Sequence, residues 1–461
     1  MAISSGLDIA IRSLMAQQHA VNTASHNIAN ANTPGFSRQR VRLEAMPGLA
    51  ASPGIPSAGG GVDSLSVRRV RDVFVDYQIR LANQAAGRFE ARASSLQKAE
   101  LVVNEPSDNG LRAVLSQFWN SWRDLANQPE SSAARTAVIQ AGGTMTSTAT
   151  RIYESFVRLR GEADARVIQD VTEINGLTAN IANLNEQIAR MSAVGDQSSD
   201  LRDTRDLAME QLSRLIDIQY VDRADGRIDV FVGGHTLVTS GTSYAITGVA
   251  NAGNLNFVDL RFQADNTAVV VTDGELRGLL DQRDGDLVNR ITDLNALLGQ
   301  VITDVNAAHA AGFGLDGLTG RAFFTGTNAS NIAVNPVVSA NTNAVAASTT
   351  LAGVPGNAGN ANAISALQYA KPLLGATATY DEFYQSFISS LGSTSRQFEQ
   401  LDVSQSILLE HLTQVRESAS GVNLDEEMVQ LMSYQRAYEA ASRLVSVIDE
   451  MLDTLINRMA V

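Results

Sequence analysis

Apolar residues recur at every third and fourth position along the last forty residues, Val422 to Val461. Leu431, Tyr434, Tyr438, Ala441, Val445, Ile448, Leu452, Leu455 and Met459 follow one another in steps of 3, 4, 3, 4 without a break. That is the period of a coiled-coil seam, so the stripe predicts a helix that buries one narrow face against a second helix. Gln435, Arg436, Glu439, Arg443, Asp449, Glu450, Asp453 and Arg458 lie between the stripe positions as its solvated side. Tyr434 and Tyr438 sit on the stripe, so packing explains them before any stacking role does. At the other end, Ile3 to Ala31 repeats by seven on two registers. Leu7, Leu14, Val21 and Ile28 form one, and Ile3, Ala10, Gln17, Ala24 and Ala31 form a second, smaller one that lets a partner come close. The run stops at Asn30-Ala31-Asn32-Thr33-Pro34-Gly35, because Pro34 disfavours helix at Thr33 and Gly35 permits a turn. The two ends carry complementary seams and are predicted to pair as a coiled coil. Leu7, Leu14, Val21, Ile28 and the stripe from Leu431 to Met459 are the candidate assembly residues.

Between the ends the period changes twice. Phe36 to Val70 reads as an extended linker, broken by Pro47, Pro53, Pro56 and Gly59-Gly60-Gly61, with a weak strand over 61–67. Helical pattern then covers 72–103, a short helix at 111–127 carrying Phe118, Trp119 and Trp122, a long tract over 131–191, and 200–215. At Ile218 the period drops to two, and Ala224-Asp225-Gly226 marks a hairpin before Ile228, Val230 and Val232. Residues 218–272 are therefore predicted to be a β insertion with a core of its own, dispensable for assembly. Helix returns with Leu287, Ile291, Leu294, Leu298, Val301, Val305 and Ala308, and again from Phe383 to Val415. The Gly-, Asn- and Ala-rich stretch 312–362 reads as loops and short strands joining the β part.

The expected fold is mainly α with a β insertion. Residues 1–35 and 422–461 form a terminal coiled-coil axial domain. A discontinuous helical-bundle body takes 36–217, 273–311 and 363–421, and a small β-rich outer domain takes 218–272 and 312–362.

Composition narrows the function. The formal charge is −14, which argues against a nucleic-acid partner. Aromatics make up only 5%, which suits long helices better than an aromatic-lined pocket. No cysteine is present, which excludes disulfides and thiol chemistry. No run approaches eighteen apolar residues, so no membrane span is expected, and Asp8 interrupts any Sec-type signal.

Candidate chemistry is thin. Gly312-Phe-Gly314-Leu-Asp-Gly317 matches a dinucleotide fingerprint only in letters, since it follows a predicted helix instead of a strand. His19 and His26 lie seven apart on a helix, too far for one zinc. The Asp203, Arg205 and Asp206 cluster reads as a charged outer face, and Glu426 and Glu427 as acids favoured at a helix start. No catalytic, cofactor-binding or metal-binding residues are assigned.

Ser5-Gly6-Leu7 and the stretch Asn27 to Arg40, with Asn27, Asn30, Asn32, Pro34, Gly35 and Phe36, resemble the N-terminal signature of the flagellar axial proteins of rod, hook and hook-associated type. Val422 to Met428, Tyr434-Gln-Arg-Ala-Tyr438 and Asp449 to Asn457 resemble their C-terminal signature. Pro106 to Arg135, with Trp119 and Trp122, and Asp200 to Asp217 are similar to the hook-associated members, the proteins of the hook–filament junction. The resemblance implies a non-enzymatic structural adaptor in the bacterial flagellum, secreted by type III export after a cytoplasmic stage. It implies contacts with hook protein, with the second hook–filament junction protein, and with copies of itself in a helical layer, and an export chaperone on the C-terminal helix. A hook or distal rod protein, or a wall-active enzyme on an axial scaffold, is the alternative.

Overall fold

The structure is a computed structural model that describes residues 2–46 and 59–454; the stripe positions Leu455 and Met459 lie outside them. Helix α1 (Ala2–Ala29) leads into an antiparallel hairpin of β1 (Gln39–Ala45) and β2 (Val62–Arg69), where an extended linker was expected. Four helices follow: α2 (Val73–Val103), α3 (Leu111–Asn127), α4 (Ser132–Ala193) and α5 (Ser199–Leu215). The boundaries follow local chemistry: Asp72 caps α2 by accepting from the Phe74 and Val75 amides, and Ser131 caps α4 through Ala134.

The β insertion has six strands. β3 (Gln219–Asp222), β4 (Ile228–Val232), β5 (His235–Thr239) and β6 (Thr242–Ser243) form one antiparallel meander, and β7 (Ile246–Asn251) pairs with β8 (Phe257–Phe262). Helix α6 (Glu275–Asp281) passes through one π-helical turn, 282–286, into α7 (Leu287–Ala311). Two-residue strands β9 (Phe324–Thr325) and β10 (Ala333–Val334) and short helices α8 (Pro336–Ala340) and α9 (Gly359–Ala366) precede α10 (Tyr380–Ser420) and α11 (Leu424–Asp453).

Helix α4 is 62 residues long, about 90 Å at 1.5 Å per residue, and serves two cores in succession. Its first half, Val138 to Leu159, packs with Phe118, Trp119 and Trp122 of α3, with α7, and with Tyr380, Tyr384 and Phe387 of α10. Its second half, Val167 to Ile181, packs with Met209 and Leu212 of α5, with the inward faces of the strands, and with Leu276 and Leu279 of α6. Between the cores, Arg283 from the π turn donates to Asp164 of α4 at 2.5 Å and to the Val258 carbonyl of β8 at 2.9 Å.

Two expectations change. The stretch 312–362 does not join the strands of 218–272. Phe323, Phe324, Ile332, Val338, Val345 and Ala361 are buried in the first core, against α3, α4 and α7. Arg135 of α4 donates to the Val345 carbonyl at 2.5 Å. His309 at the end of α7 hydrogen-bonds the Arg321 carbonyl through Nδ1 and accepts from the Ala346 amide through Nε2. Nor does the β insertion have its own core. Ile228, Val230, Val232 and Leu237 share one cluster with α4, α5 and α6. Strand alternation fixes which side chains point inward, but not whose helices they meet.

Candidate assembly interface

The terminal helices α1 and α11 pack along their length. Two contacts fix their direction. Asn27 Nδ2 donates to Glu427 Oε2 at 2.9 Å, and Gly6 lies against the Ile448 side chain. These points are 27 − 6 = 21 residues apart on α1 and 448 − 427 = 21 on α11, in opposite order, so the pair is antiparallel. On α11 the predicted stripe faces the partner. Ala441 and Ile448 are buried, while Leu431, Tyr434, Val445 and Leu452 are half-buried and Tyr438 is exposed.

On α1 the seam keeps the expected small register of Ala10, Gln17 and Ala24, but its other register is not the one expected. The 3–4 series between the two anchor points runs Gly6, Ala10, Ser13, Gln17, Ala20, Ala24 and Asn27, and its alanines and Asn27 are buried. Leu7, Leu14, Val21 and Ile28 are only half-buried, one position beside that series. Small side chains let the axes approach while the larger stripe of α11 fills the groove. The β1–β2 hairpin covers another side of α1, with Gly61 close against Ile9.

The axial pair is tied to the body by a buried polar node whose members the sequence named without bringing them together. Glu427 is 2% exposed and continues the α11 stripe one step before Leu431. Its carboxylate accepts from Asn27 and, at 2.6 Å, from Arg38 Nε. Asn27 also brackets the Gln39 main chain, donating to its carbonyl and accepting from its amide, both at 2.9 Å. The Arg38 amide donates to the Ser420 carbonyl at the end of α10. Helix start, helix end and hairpin thus meet around one ion pair.

A second layer lies below it. Asp203 of α5 accepts from the Ser37 amide and hydroxyl and from Arg69 at 2.8 Å. Asp206 accepts from Arg69 and Arg71, each at 2.8 Å. Burial would push the Asp206 carboxyl up, but Arg71, Arg69 and Arg80 outweigh it and hold it below the usual carboxylate range. Asp203 ends above its ordinary value, because burial outweighs Arg69 and Ser37. The reading of Asp203, Arg205 and Asp206 as a solvated outer face is therefore overturned. Asp203 and Arg205 are 5% and 3% exposed, since α5 is covered on one side by the hairpin and on another by the second core. Three charges in four residues, close to the apolar positions Ala208 and Leu212, were the available signal.

The Thr33-Pro34-Gly35 stop shapes this joint. Gly35 takes φ +80°, a left-handed conformation that favours glycine, and approaches Leu207 of α5. Phe36 meets the His26 ring edge-on at 5.4 Å, and Asn30 Nδ2 donates back to the His26 carbonyl. Asn32 and Pro34 are exposed.

The family models of the axial proteins fall on these elements. "Flagella basal body rod protein" matches residues 7–36, and "Flagellar basal body rod FlgEFG protein C-terminal" matches 414–459. "Flagellar hook-associated protein FlgK helical domain" matches 96–324, from the end of α2 to β9. Flagellar hook-associated protein 1 of Bacillus subtilis is 31% identical over 500 aligned positions, covering 99% of this chain and 98% of its own. The chain belongs to the flagellar hook-associated protein 1 family. The Salmonella typhimurium member is 30% identical over 70% of this chain and 60% of its own, and the Escherichia coli K12 member 24% over 99% and 100%. The flagellar hook junction protein FlgK from Burkholderia pseudomallei shares the fold, with TM-score 0.65 at 17% identity over 74% of this chain and 99% of that one.

Members of this family are hook-associated structural proteins of the bacterial flagellum, and this chain is one of them. Among the described residues, no helix is long and apolar enough to cross a membrane, and no group of three or more His, Cys, Asp or Glu could hold a metal. The Gly312–Gly317 stretch caps the end of α7 and continues as a loop.

Proposed function

We propose that this chain forms a layer of the hook–filament junction, assembled through α1 and α11 with copies of itself. Hook protein lies on one side of that layer and the second junction protein on the other. The chain is non-enzymatic, is exported through the flagellar type III route, and meets a cytoplasmic chaperone on α11 beforehand. The observation that carries the reading is a second apolar row on α11. With the stripe turned onto α1, Leu444, Val447 and Met451, spaced 3 and 4, are still between 43% and 52% exposed. Large apolar side chains in a row along one helix mark a partner surface. Ile11 and Met15 of α1 are exposed as well.

The test changes that row and leaves the seam alone. Leu444→Glu with Met451→Glu is expected to preserve the melting temperature of the purified chain and to abolish filament attachment in cells. Electron microscopy of hook tips reads the outcome. Normal filaments on cells carrying the double variant would overturn the role of this row.

A further inference from the structure

The hairpin beside the axial pair carries a charge arrangement that the folded chain leaves unanswered. Arg40 of β1 stands directly opposite Arg68 of β2 in the ladder, and both are exposed. Like charges placed opposite across a strand pair repel. Neither guanidinium has a carboxylate partner among the described residues, and Arg42, next on the same face, has only Glu44 at 3.9 Å. In a chain of charge −14 this is an uncommon concentration of cations.

The complementary surface lies at the far end of the same rod. Asp449 and Glu450 are exposed near the end of α11, and no Lys or Arg occurs between Leu444 and Asn457. The two patches do not meet within one chain. The basic face sits beside the Asn27 end of α1, since the Gln39 main chain is bonded to Asn27, whereas Ile448 lies over Gly6. Twenty-one helical residues separate those points, about 30 Å along the axis.

We infer that the Arg40–Arg68 face of the hairpin docks the acidic end of α11, around Asp449 and Glu450, from a second copy of this chain. Between copies that run the same way and lie level, basic and acidic patches at opposite ends of one rod cannot meet. A copy displaced by about 30 Å along the axis brings them together. Such a contact is heterologous and repeats without closing, as a helical layer requires. The inference rests on the proposed layer and supplies its register.

The natural chain has no cysteine, so introduced thiols are the sole ones present. Full-length chains carrying Arg68→Cys, Glu450→Cys or both would replace the wild type in cells, and isolated hooks would be oxidised. The double variant is expected to give a ladder of cross-linked chains, and mixed single variants to give dimers alone. An internal disulfide is excluded, because its Cα atoms must lie within about 7 Å. In parallel, Arg40→Glu with Arg68→Glu is expected to leave the melting curve of the purified chain in place and to cut incorporation at hook tips several-fold. Adding Asp449→Arg and Glu450→Arg in the same chain is expected to restore it. Incorporation at the hook tip without any cross-link overturns the contact while leaving the layer intact. Loss of incorporation that the charge swap does not rescue also overturns it, since the Arg face then meets something other than this acidic end. Absence of the wild-type chain from hook tips overturns the layer reading and this inference together.

Discussion

Glu427 holds two donors at once, from Asn27 and Arg38, at a site that water does not reach. A buried ion pair adds little to stability over an apolar pair, but removing one partner strands the other at a cost of about 3–5 kcal/mol. Glu427→Ala is therefore expected to release α1 and α11 from the body, with fast amide exchange along both helices. The two cores should keep their exchange protection, because neither contains Glu427. A second residue sets a pH dependence. Burial and the nearby charge of Glu275 push Asp170 from 3.8 to about 7, partly opposed by Arg166 at 2.9 Å. An acid whose pKa rises on folding favours the folded state when protonated. That stability is fully present below about pH 4 and is lost as pH rises through about 7. At about 1.4 kcal/mol per unit, the ionised form is a liability of a few kcal/mol. Asp170→Asn is expected to raise the melting temperature clearly at pH 8 and much less at pH 5. Equal gains at both would show that Asp170 does not titrate in this window.

At the scale of elements, α11 has two apolar edges with different duties. The stripe satisfies α1 within the chain, and the row of Leu444, Val447 and Met451 stays exposed. Ile448→Asp with Leu452→Asp places carboxylates on the stripe, where burying each side chain contributes about 1.5–3 kcal/mol. The pair α1–α11 is expected to separate, so that limited proteolysis removes both ends of the purified double variant. The body should melt as before, since neither residue belongs to its two cores. Glu450→Ala alone leaves the seam intact and is expected to show no added proteolysis.

For the whole molecule, the spine α4 couples the parts. Its first half is built into the core of α3, α7 and α10, and its second half into the core shared with the strands. The β insertion is thus one wall of the second core. Replacing residues 219–272 with a short Gly-Ser bridge would expose Val171, Ile174, Met209 and Leu212. The expected result is a lower melting temperature and loss of soluble protein, measured by calorimetry and expression yield. A deletion variant that melts like the parent would restore the expectation of an independent insertion.

Local pattern determined a great deal. The 3–4 stripes predicted α1 and α11 and their pairing, the period of two located β3 and β4, and Pro and Gly placed the stops. These features are encoded by neighbours within one or two turns, so they can be read without knowing the fold. The axial motif Asn27 to Phe36 was legible too, although only the structure shows Asn27 gripping Gln39 and Glu427. Tertiary structure alone decided what brings distant residues together. Asn27 and Glu427 are 400 positions apart, and Ser37 and Asp203 are 166. A charged residue buried by such a partner looks, in sequence, like any solvated one, which is why Asp203 and Arg205 passed for a charged outer face and Glu427 for a first-turn acid and nothing more. The same limit misplaced 312–362, whose scattered Val, Ile and Ala residues announce burial without naming the core that buries them. It also put Leu7 and Leu14 in a seam that alanines occupy, because the choice between neighbouring faces of α1 depends on how closely α11 can approach.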